Sequence, residues 1–363
     1  MNYTVSVNLA GHNSSICILK DGDIELFIEE ERLSRWKRDN RIPLRIIEVI
    51  KDYTTYIDTL VLMNFGYDYM VDYVKNHISK EGIVVDNIVR DDMGYHHHLS
   101  HAASGFYCSG FEEAICLVMD GSGGTFMFND KSMNETTSIY HAKYPAVFDV
   151  KYKRFNYIVE QWDTFNFIED VTKTVGDEFG CPVDIEYQHD VGNMYSAVCK
   201  SMGFGELNEG KLMGLSSYGK PNSNLPDILC DGLTNMQLVK PNRQMTVSLE
   251  DKEDWAYAAQ KAAEKMIVER VDYIVNNFDC KNLVFSGGCS LNILANSEIK
   301  KKYPELNVFV DPIATDANQS LGAAKYAYHM ETNDTKVRKL DTIYLGRQYK
   351  INTLRKEITN FLK

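Results

Sequence analysis

The sequence predicts an α/β fold with mixed sheets, arranged as two lobes. Near its start, an Asp-Gly turn joins two alternating apolar runs, which is typical of a β-hairpin. Further along, strand, glycine-rich turn and helix recur as a unit, which indicates helices packed on sheets. The 363 residues are enough for two domains or for two lobes of one larger unit.

The first lobe is predicted to cover approximately residues 1–125 and to open with this hairpin, whose turn contains Asp21 and Gly22. A histidine-rich segment then enters a helix, and a buried strand ends in the turn DGSGG. The predicted strands are YTVSVNLA, SSICILK, IELFIEE, TLVLMNFG and EEAICLVM, and the predicted helices are IPLRIIEVIKDY, YDYMVDYVKNHI and HHHLSHAASGFY.

The second lobe is predicted to span residues 126–340, with an inserted β-meander over residues 125–160. Surface loops are expected at Asn222–Pro226 and around residues 231–250. In residues 341–363 we expect one strand, DTIYLG, and one short helix, INTLRKEITNFLK. The other predicted elements are the helices NMYSAVCKSMGF, DWAYAAQKAAEKMIVERVDYIVNNF, LNILANSEIKKKY and NQSLGAAKYAYHM and the strands NLVFSGG and NVFVDP.

The cysteine usage fits a reducing cytosol, so we expect a cytoplasmic location. The formal net charge of −12 argues against a broad electrostatic grip on nucleic acid. The basic run of Arg32, Arg35, Lys37 and Arg38 leaves a local basic groove open. We expect neither a membrane span nor a secretory signal. None of the eight cysteines forms a CxxC pair, which predicts buried free thiols.

Three predicted strands are each followed by a glycine-rich turn, which indicates a nucleotide cleft. The turns read NLAGHNSS, DGSGG and SGGCSLN. Glycine lets backbone N–H groups approach an anion closely, and a following helix N-terminus attracts phosphate. For each turn alone, a tight connection that merely ends a strand is the alternative. Together they suit a two-lobed architecture of the actin or hexokinase type, and no GxxxxGK[ST] loop is present.

A histidine cluster predicts a metal site. His97 and His101 are four residues apart, so on a helix they share one face and can bind one ion together. Four of the nine histidines fall within six residues, next to the strand that delivers Asp120. The alternative is a histidine-rich helix end that is exposed to water. Mixed imidazole and carboxylate ligands suit iron, manganese or zinc, and the residues do not separate these metals.

Two further residues have open roles. Asp316 follows the strand NVFVDP and precedes a helix, where an aspartate caps the helix, binds a ligand or does both. Lys211 lies in EGKLMGLSSYGKP, which we predict to be a long polar loop. It either neutralises a phosphate or belongs to a solvated connection.

Seven sequence blocks resemble the O-carbamoyltransferase family in content and order. They are GHNSS, EEERLSRWK, HHLSHAASGFY, MDGSGG, EGKLMGLSSYGKP, FSGGCSLN and TDANQSLGAA. The family includes enzymes of nodulation-factor, cephamycin, aminoglycoside (tobramycin type) and aminocoumarin biosynthesis, and the resemblance extends over nearly the whole chain. It implies the actin-like ASKHA fold shared with tRNA threonylcarbamoyl-transfer proteins. It also implies transfer of a carbamoyl group from carbamoyl-adenylate, made from carbamoyl phosphate and ATP, to a substrate hydroxyl.

The resemblance also implies roles for individual residues. His12 would face the reacting centre, where a neutral imidazole can act as general base, and Lys37 would line the acceptor or phosphate side. The implied metal is iron, and Mg²⁺ is expected to accompany the nucleotide. The implied metal ligands are His97, His101, Asp120 and Asp316. The residues implied to hold the nucleotide are Gly11, Gly121, Ser122, Gly123, Gly124, Lys211, Gly287, Gly288 and Asn292.

The family's acceptors imply a small hydroxylated partner: a sugar, an antibiotic or a hydroxymethylated nucleobase, so contact with nucleic acid stays open. Two departures from the family pattern stand out. Asn318 replaces a usual glycine, so we expect a changed loop beside Asp316. Family members usually continue into a domain that makes carbamoyl-adenylate, and residues 341–363 resemble the lead into it. We therefore expect activation by a C-terminal domain in cis or in trans.

Two other functions fit parts of the pattern. One is threonylcarbamoyl-type modification of tRNA, against which the acidic net charge and the blocks EEERLSRWK and EGKLMGLSSYGKP weigh. The other is a non-catalytic, actin-fold regulator that binds a nucleotide. A regulator has no need of the clustered His and Asp side chains, so metal content separates the two classes.

Overall fold

Two mixed sheets form the framework of the protein. In the computed structural model, the described residues are 1–9, 12–91, 96–128, 131–157, 176, 179–186, 190–230, 233–235, 238, 247–279 and 281–347. The first sheet has the order β3-β2-β1-β4-β5, in which β2 is antiparallel to both neighbours and β1, β4 and β5 are parallel. Its strands are β1 (Tyr3–Asn8), β2 (Ser15–Lys20), β3 (Asp23–Glu29), β4 (Tyr56–Met63) and β5 (Val84–Asp91).

The second sheet repeats this topology with other residues. Its order is β10-β9-β8-β6-β13-β14, and β7 pairs with β8. Strand β8 is antiparallel to both neighbours, whereas β6, β13 and β14 are parallel. The strands are β6 (Glu113–Met119), β7 (Thr125–Phe128), β8 (Lys131–Lys143), β9 (Val147–Tyr157), β10 (Val183–Glu186), β13 (Asn282–Ser286) and β14 (Asn307–Val310), and β11 (Leu229–Cys230) and β12 (Leu233–Thr234) pair separately.

The helices follow the predicted order. They are α1 (Glu30–Ser34), α2 (Leu44–Val49), α3 (Asp68–Lys80), α4 (His97–Ser109), α5 (Val191–Ser201), α6 (Glu209–Ser216), α7 (Lys252–Asn277), α8 (Ile293–Lys302) and α9 (Asn318–Thr332), with 3-10 turns at Ile50–Asp52 and Gly288–Leu291. Helices α2 and α3 cover the apolar face of the first sheet, and α5, α7 and α8 cover the second. Among the described helices, none combines the length and the apolar character that a membrane span requires.

Helices α4 and α9 form the layer between the sheets and position the candidate site. Helix α9 packs on β1, β2 and β4 of the first sheet, whereas α4 packs on β6 and β13 of the second. Small residues let the two helices approach closely: a Cβ on Gly322 would overlap the carbonyl oxygen of Ser100. On the other face of α4, a Cβ on Gly105 would lie 2.5 Å from Cγ1 of Val284. The alanine- and glycine-rich sequences of both helices are therefore requirements of packing.

Four sequence predictions need correction or qualification. EGKLMGLS is a helix, α6, and not a loop, because Leu212 is fully buried and the tertiary contact outweighs two glycines. DTIYLG is not a strand, although the N–H of Phe27 donates to the carbonyl of Leu345. The helix predicted at its C-terminal side lies outside the described residues. The lobe boundaries stay predictions, but the chain already enters the second sheet at Glu113.

Several other predictions agree with the structure. The hairpin and the β-meander are present, and Asn222–Pro226 has no regular structure, whereas most of 231–250 lies outside the described residues. The six cysteines whose surroundings are described are free. Cys17, Cys108, Cys116, Cys181 and Cys199 are buried, and Cys289 is half-buried.

Candidate functional site

Four side chains from three separate segments converge where the two sheets meet. His97 and His101 lie one turn apart at the start of α4, so their rings share a face, with Nε2 atoms 3.2 Å apart. Asp120 directly follows β6, and Asp316 lies between β14 and α9. These are the four residues implied as metal ligands.

The distances within this cluster suit a single metal ion. His97 Nε2 lies 3.4 Å from Asp120 Oδ2 and 3.6 Å from Asp316 Oδ1. His101 Nε2 lies 3.5 Å and 3.6 Å from the same two oxygens. One donor atom from each residue falls within 4.8 Å of all the others. Donors that surround an ion at about 2.1 Å are separated by about 3–3.5 Å, so two imidazoles and two carboxylates fit one divalent ion.

The pKa values of His101, Asp120 and Asp316 are shifted by the contacts within the cluster. Burial alone would lower the pKa of His101, but hydrogen bonds to Asp120 and Asp316 raise it to about 9. Burial likewise opposes ionisation of Asp120, yet hydrogen bonds from His101 and His97 hold its pKa well below the usual range. The pKa of Asp316 is lowered for the same reason, chiefly by His101. Without an ion, a proton on His101 compensates the two buried carboxylates.

His12 reaches the cluster from the first sheet. It lies in the turn between β1 and β2, and its Nε2 is 3.4 Å from Oδ2 of Asp316. Its side chain is 30% exposed, whereas His101 is fully buried. His12 therefore sits at the open side of the cluster, where an incoming substrate can reach it.

Two of the predicted glycine turns meet beside Asp120. A Cβ on Gly288 would lie 2.9 Å from Oδ1 of Asp120, and Gly287 has φ +84, with its Cβ position 2.5 Å from the carbonyl of Met119. On the other side, Gly121 lies against Gly192 at the start of α5. The close backbone contacts leave no room for a side chain at Gly192 or Gly287. Gly11, of the third turn, lies outside the described residues.

The remaining candidate nucleotide-binding and catalytic residues are more scattered. Ser122 is exposed, whereas Gly124 is buried. The Oδ1 of Asn292 accepts from the N–H of Ala295 and thereby caps α8. Lys211 is exposed on α6, and Lys37 is exposed in the turn after α1. The structure thus brings the metal candidates and His12 together but leaves both lysines at the surface.

A polar network that sequence reasoning missed joins the first sheet to the cluster. Asn8 Nδ2 donates to the carbonyl of Asp316 at 2.8 Å, and Ser15 Oγ donates to the carbonyl of Ala317 at 2.7 Å. Asn64 Nδ2 donates to Oε1 of Gln319 at 3.0 Å, which turns the Gln319 amide nitrogen toward Nε2 of His97, 3.4 Å away. Strand-end asparagines have no distinctive sequence signal, so these partners emerge only from the fold.

Asn318, the departure from the family pattern, is also part of the structure around Asp316. It is fully buried, and its Nδ2 donates to Oδ2 of Asp311 at 2.8 Å. The same nitrogen lies 3.3 Å from Oγ of Ser286, at the end of β13. The amide therefore ties the start of α9 to the second sheet.

A second buried polar group lies behind the glycine turn of Asp120. His98 Nδ1 is 2.9 Å from Oγ of Ser138 and 3.4 Å from Oε2 of Glu135, which also pairs with Lys153. Burial lowers the pKa of His98 to about 3. A Cβ on Gly123 would lie 2.6 Å from Nε2 of His98. Neighbouring histidines of α4 thus have opposite surroundings, because successive helix positions face different sides.

Comparison with known proteins assigns this chain to a protein family. A model described as carbamoyltransferase N-terminus matches residues 47–325. The uncharacterized protein sll1178 of Synechocystis is 25% identical over 432 residues, which cover all of this chain and 63% of that protein. Nodulation protein NolNO of Sinorhizobium fredii is 23% identical over 375 residues, covering 92% of this chain and 49% of its own length. The chain spans about half the length of such curated relatives.

Solved structures agree on the fold. Full-length HypF in its phosphate- and nucleotide-bound form aligns with a TM-score of 0.53 at 16% identity, over 91% of this chain and 56% of that one. HypF of T. kodakarensis gives 0.53 at 14% identity, over 92% and 48%. At such identities the likeness concerns the fold alone. It confirms the predicted two-lobed α/β fold of the actin and hexokinase type.

Proposed function

Because the chain belongs to the carbamoyltransferase N-terminus family, we propose that it transfers a carbamoyl group from carbamoyl-adenylate to a hydroxyl group of a small acceptor. Carbamoyl phosphate and ATP are the source of the adenylate in this proposal. The acceptor is a sugar, an antibiotic or a hydroxymethylated nucleobase. The nodulation proteins among the relatives are consistent with a small hydroxylated substrate.

One observation carries the proposal: a candidate base, four metal-type donors and two glycine turns share one junction. His12 Nε2 is 3.4 Å from Asp316 Oδ2, and Asp316 Oδ1 is 3.6 Å from Nε2 of His97 and of His101. Asp120, on the opposite side of the cluster, touches Gly288. In this proposal, an adenylate phosphate at the glycine turns places its carbamoyl group beside the donor cluster, and the acceptor hydroxyl approaches from the side of His12.

The chemistry is an acyl transfer. The oxygen of the acceptor hydroxyl attacks the carbamoyl carbon, and Nε2 of His12 takes the proton of that hydroxyl. The bond between that carbon and the phosphate oxygen breaks, and AMP leaves with the electron pair. A divalent ion held by His97, His101, Asp120 and Asp316 would supply Lewis-acid polarisation and a fixed orientation for the adenylate. Since AMP is a good leaving group, much of the barrier falls to positioning.

The nucleotide is proposed to lie along the glycine turns, where backbone N–H groups can meet its phosphate. Gly121 and Gly288 border Asp120, so both turns present their backbone at the same place. Lys37 and Lys211 are exposed, so each needs a bound ligand to draw it toward the reacting groups. We assign Lys37 to the acceptor or phosphate side and Lys211 to the nucleotide.

A ligand-deletion experiment tests this proposal. We expect wild-type protein to hold about one divalent ion per chain and His101→Ala to lose it, because only three of the four donor residues, His97, Asp120 and Asp316, remain. Metal content is measured after purification with iron, manganese or zinc. His77→Ala, which removes a histidine of α3, is the matched control and should keep full occupancy.

The second arm measures transfer. Each protein is given preformed carbamoyl-adenylate and a panel of hydroxylated acceptors, and mass spectrometry detects carbamoylated product. Wild type and His77→Ala should form product, and His101→Ala should not. Full metal occupancy in His101→Ala contradicts the cluster, and metal-loaded wild type that carbamoylates no acceptor contradicts the function.

A further inference from the structure

The two ring nitrogens of His12 face different partners. Nε2 points to the donor cluster, 3.4 Å from Oδ2 of Asp316. Nδ1 lies 2.6 Å from Oδ1 of Asn13, the next residue in the chain. A neutral imidazole carries one proton, so its use as a base depends on which nitrogen is free.

Glu29 determines which way the Asn13 amide points. Asn13 Nδ2 lies 2.7 Å from Oε2 of Glu29. An ionised carboxylate only accepts hydrogen bonds, so the amide nitrogen has to face Glu29 and the amide oxygen has to face His12. The reverse orientation would place two acceptors against each other. The guanidinium of Arg32 lies 3.4 Å from the other carboxylate oxygen of Glu29, Oε1.

We propose that Asn13 and Glu29 are positioning residues that hold neutral His12 in its Nδ1–H form. The oxygen of Asn13 cannot donate, so the hydrogen bond at Nδ1 requires that nitrogen to carry the proton. Nε2 then carries the lone pair, because its contact with Oδ2 of Asp316, at 3.4 Å, is longer and weaker than the 2.6 Å hydrogen bond at Nδ1. This inference rests on the proposed function, in which Nε2 takes the proton of the acceptor hydroxyl.

The backbone keeps this arrangement in place. Asn13 has φ 64, a left-handed conformation that asparagine adopts more readily than most residues. The N–H of Ser14 donates to the carbonyl of Asp39 at 2.9 Å, and the N–H of Glu30 donates to the carbonyl of Ser14 at 2.8 Å. Glu29 pairs with Ser15 in the register of β2 and β3. The three side chains are therefore carried by one short turn and the strand beside it.

NMR of the histidine ring reads the tautomer directly and needs no enzymatic activity. Long-range ¹H–¹⁵N spectra of ¹⁵N-labelled protein are recorded at increasing alkaline pH until the His12 ring signals no longer shift, so that the neutral ring is observed. The His12 signals are assigned from their loss in His12→Gln. We expect the Nδ1–H pattern in wild type and a mixture in Glu29→Gln, because an amide at this position can donate or accept and no longer orients Asn13.

Two further variants and a kinetic readout complete the test. Asn13→Gly keeps the left-handed backbone but lacks the oxygen, and it should also lose the Nδ1–H preference. Glu25→Gln, an exposed position on the same strand, is the matched control and should leave the spectrum unchanged. In Glu29→Gln, kcat should fall about 10- to 100-fold with KM nearly constant, as for other orienting partners.

The outcomes separate this inference from the function that it presupposes. An Nε2–H pattern in wild type, or an unchanged pattern in Glu29→Gln, overturns the roles of Asn13 and Glu29 whatever the activity. An Nδ1–H pattern in a metal-loaded protein that carbamoylates no acceptor upholds the tautomer and overturns the proposed function.

Discussion

Five strands of the second sheet repeat the order of the first sheet, but the turns after the first strand of each sheet carry different chemistry. After β1, the turn presents the imidazole of His12, half-exposed and oriented by a neighbouring amide. After β6, the turn presents Asp120, held between the histidines of α4 and the glycines at 287–288. Equivalent places in a repeated topology thus supply a candidate base from one sheet and a candidate metal ligand from the other. The comparison suggests that each turn can be disabled separately.

The largest expected effect is a double dissociation between these turns. Asp120→Ala should lower metal affinity by at least 100-fold and abolish transfer, because it removes a ligand from a buried site. His12→Gln should keep about one ion per chain yet lose transfer by about 100-fold or more, because only the base is missing. Metal content and product formation are measured on the same preparations. Loss of metal in His12→Gln would show that the two turns do not act separately.

A second prediction concerns the glycines beside Asp120. Gly288→Val should weaken AMP or ATP binding by about 10-fold or more, because the added side chain meets Asp120 Oδ1 and blocks close approach of the backbone. Calorimetry gives the affinity. Gly210→Ala on α6 is the control, since its Cβ would meet nothing within 4 Å. Equal affinities in both variants would remove the nucleotide from this turn.

The smallest expected effect concerns His98, the buried histidine beside His97 on α4. The folded-state pKa of His98 is lowered from 6.5 to about 3 by burial, so the unfolded chain binds its proton first as the pH falls. The stability that neutral His98 contributes is present above pH 6.5 and is lost progressively below it. Between pH 6.5 and about pH 5, wild type should lose about 2 kcal/mol more than His98→Gln.

Chemical denaturation at the two pH values measures this difference. His77→Gln serves as the control for the loss of one histidine, and it should follow wild type. Parallel pH dependence of wild type and His98→Gln would show that His98 is not held neutral in the folded protein.

Sequence patterns predicted the strands and helices well where the periodicity was long, as in α7 and the β-meander. The pairing of His97 with His101 was foreseeable from their helical spacing, whereas the inclusion of Asp316, in the loop between β14 and α9, was implied by the family resemblance. The helix α6 was missed because burial of Leu212 is decided by tertiary contacts and not by local propensity. The residues that orient the site were unforeseeable for a related reason.

Asn8, Asn64 and Gln319 illustrate this second limit. Each is an ordinary polar residue at the end of a strand or the start of a helix, and their hydrogen bonds join segments more than 50 residues apart. Only the packing of α9 on the first sheet brings them beside Asp316 and His97. Sequence spacing can indicate metal ligands that share one helix. Hydrogen-bond partners that come from a different sheet or helix are brought close only by the topology.

The central claim is that His97, His101, Asp120 and Asp316 hold one metal ion beside His12. Crystals grown with Mn²⁺ and AMP test it most directly, through an anomalous difference map collected at the manganese edge. The account predicts a single strong peak within bonding distance of both Nε2 atoms and of one oxygen from each carboxylate, with the AMP phosphate next to it. Metal-replete crystals with no peak among these four side chains would contradict it.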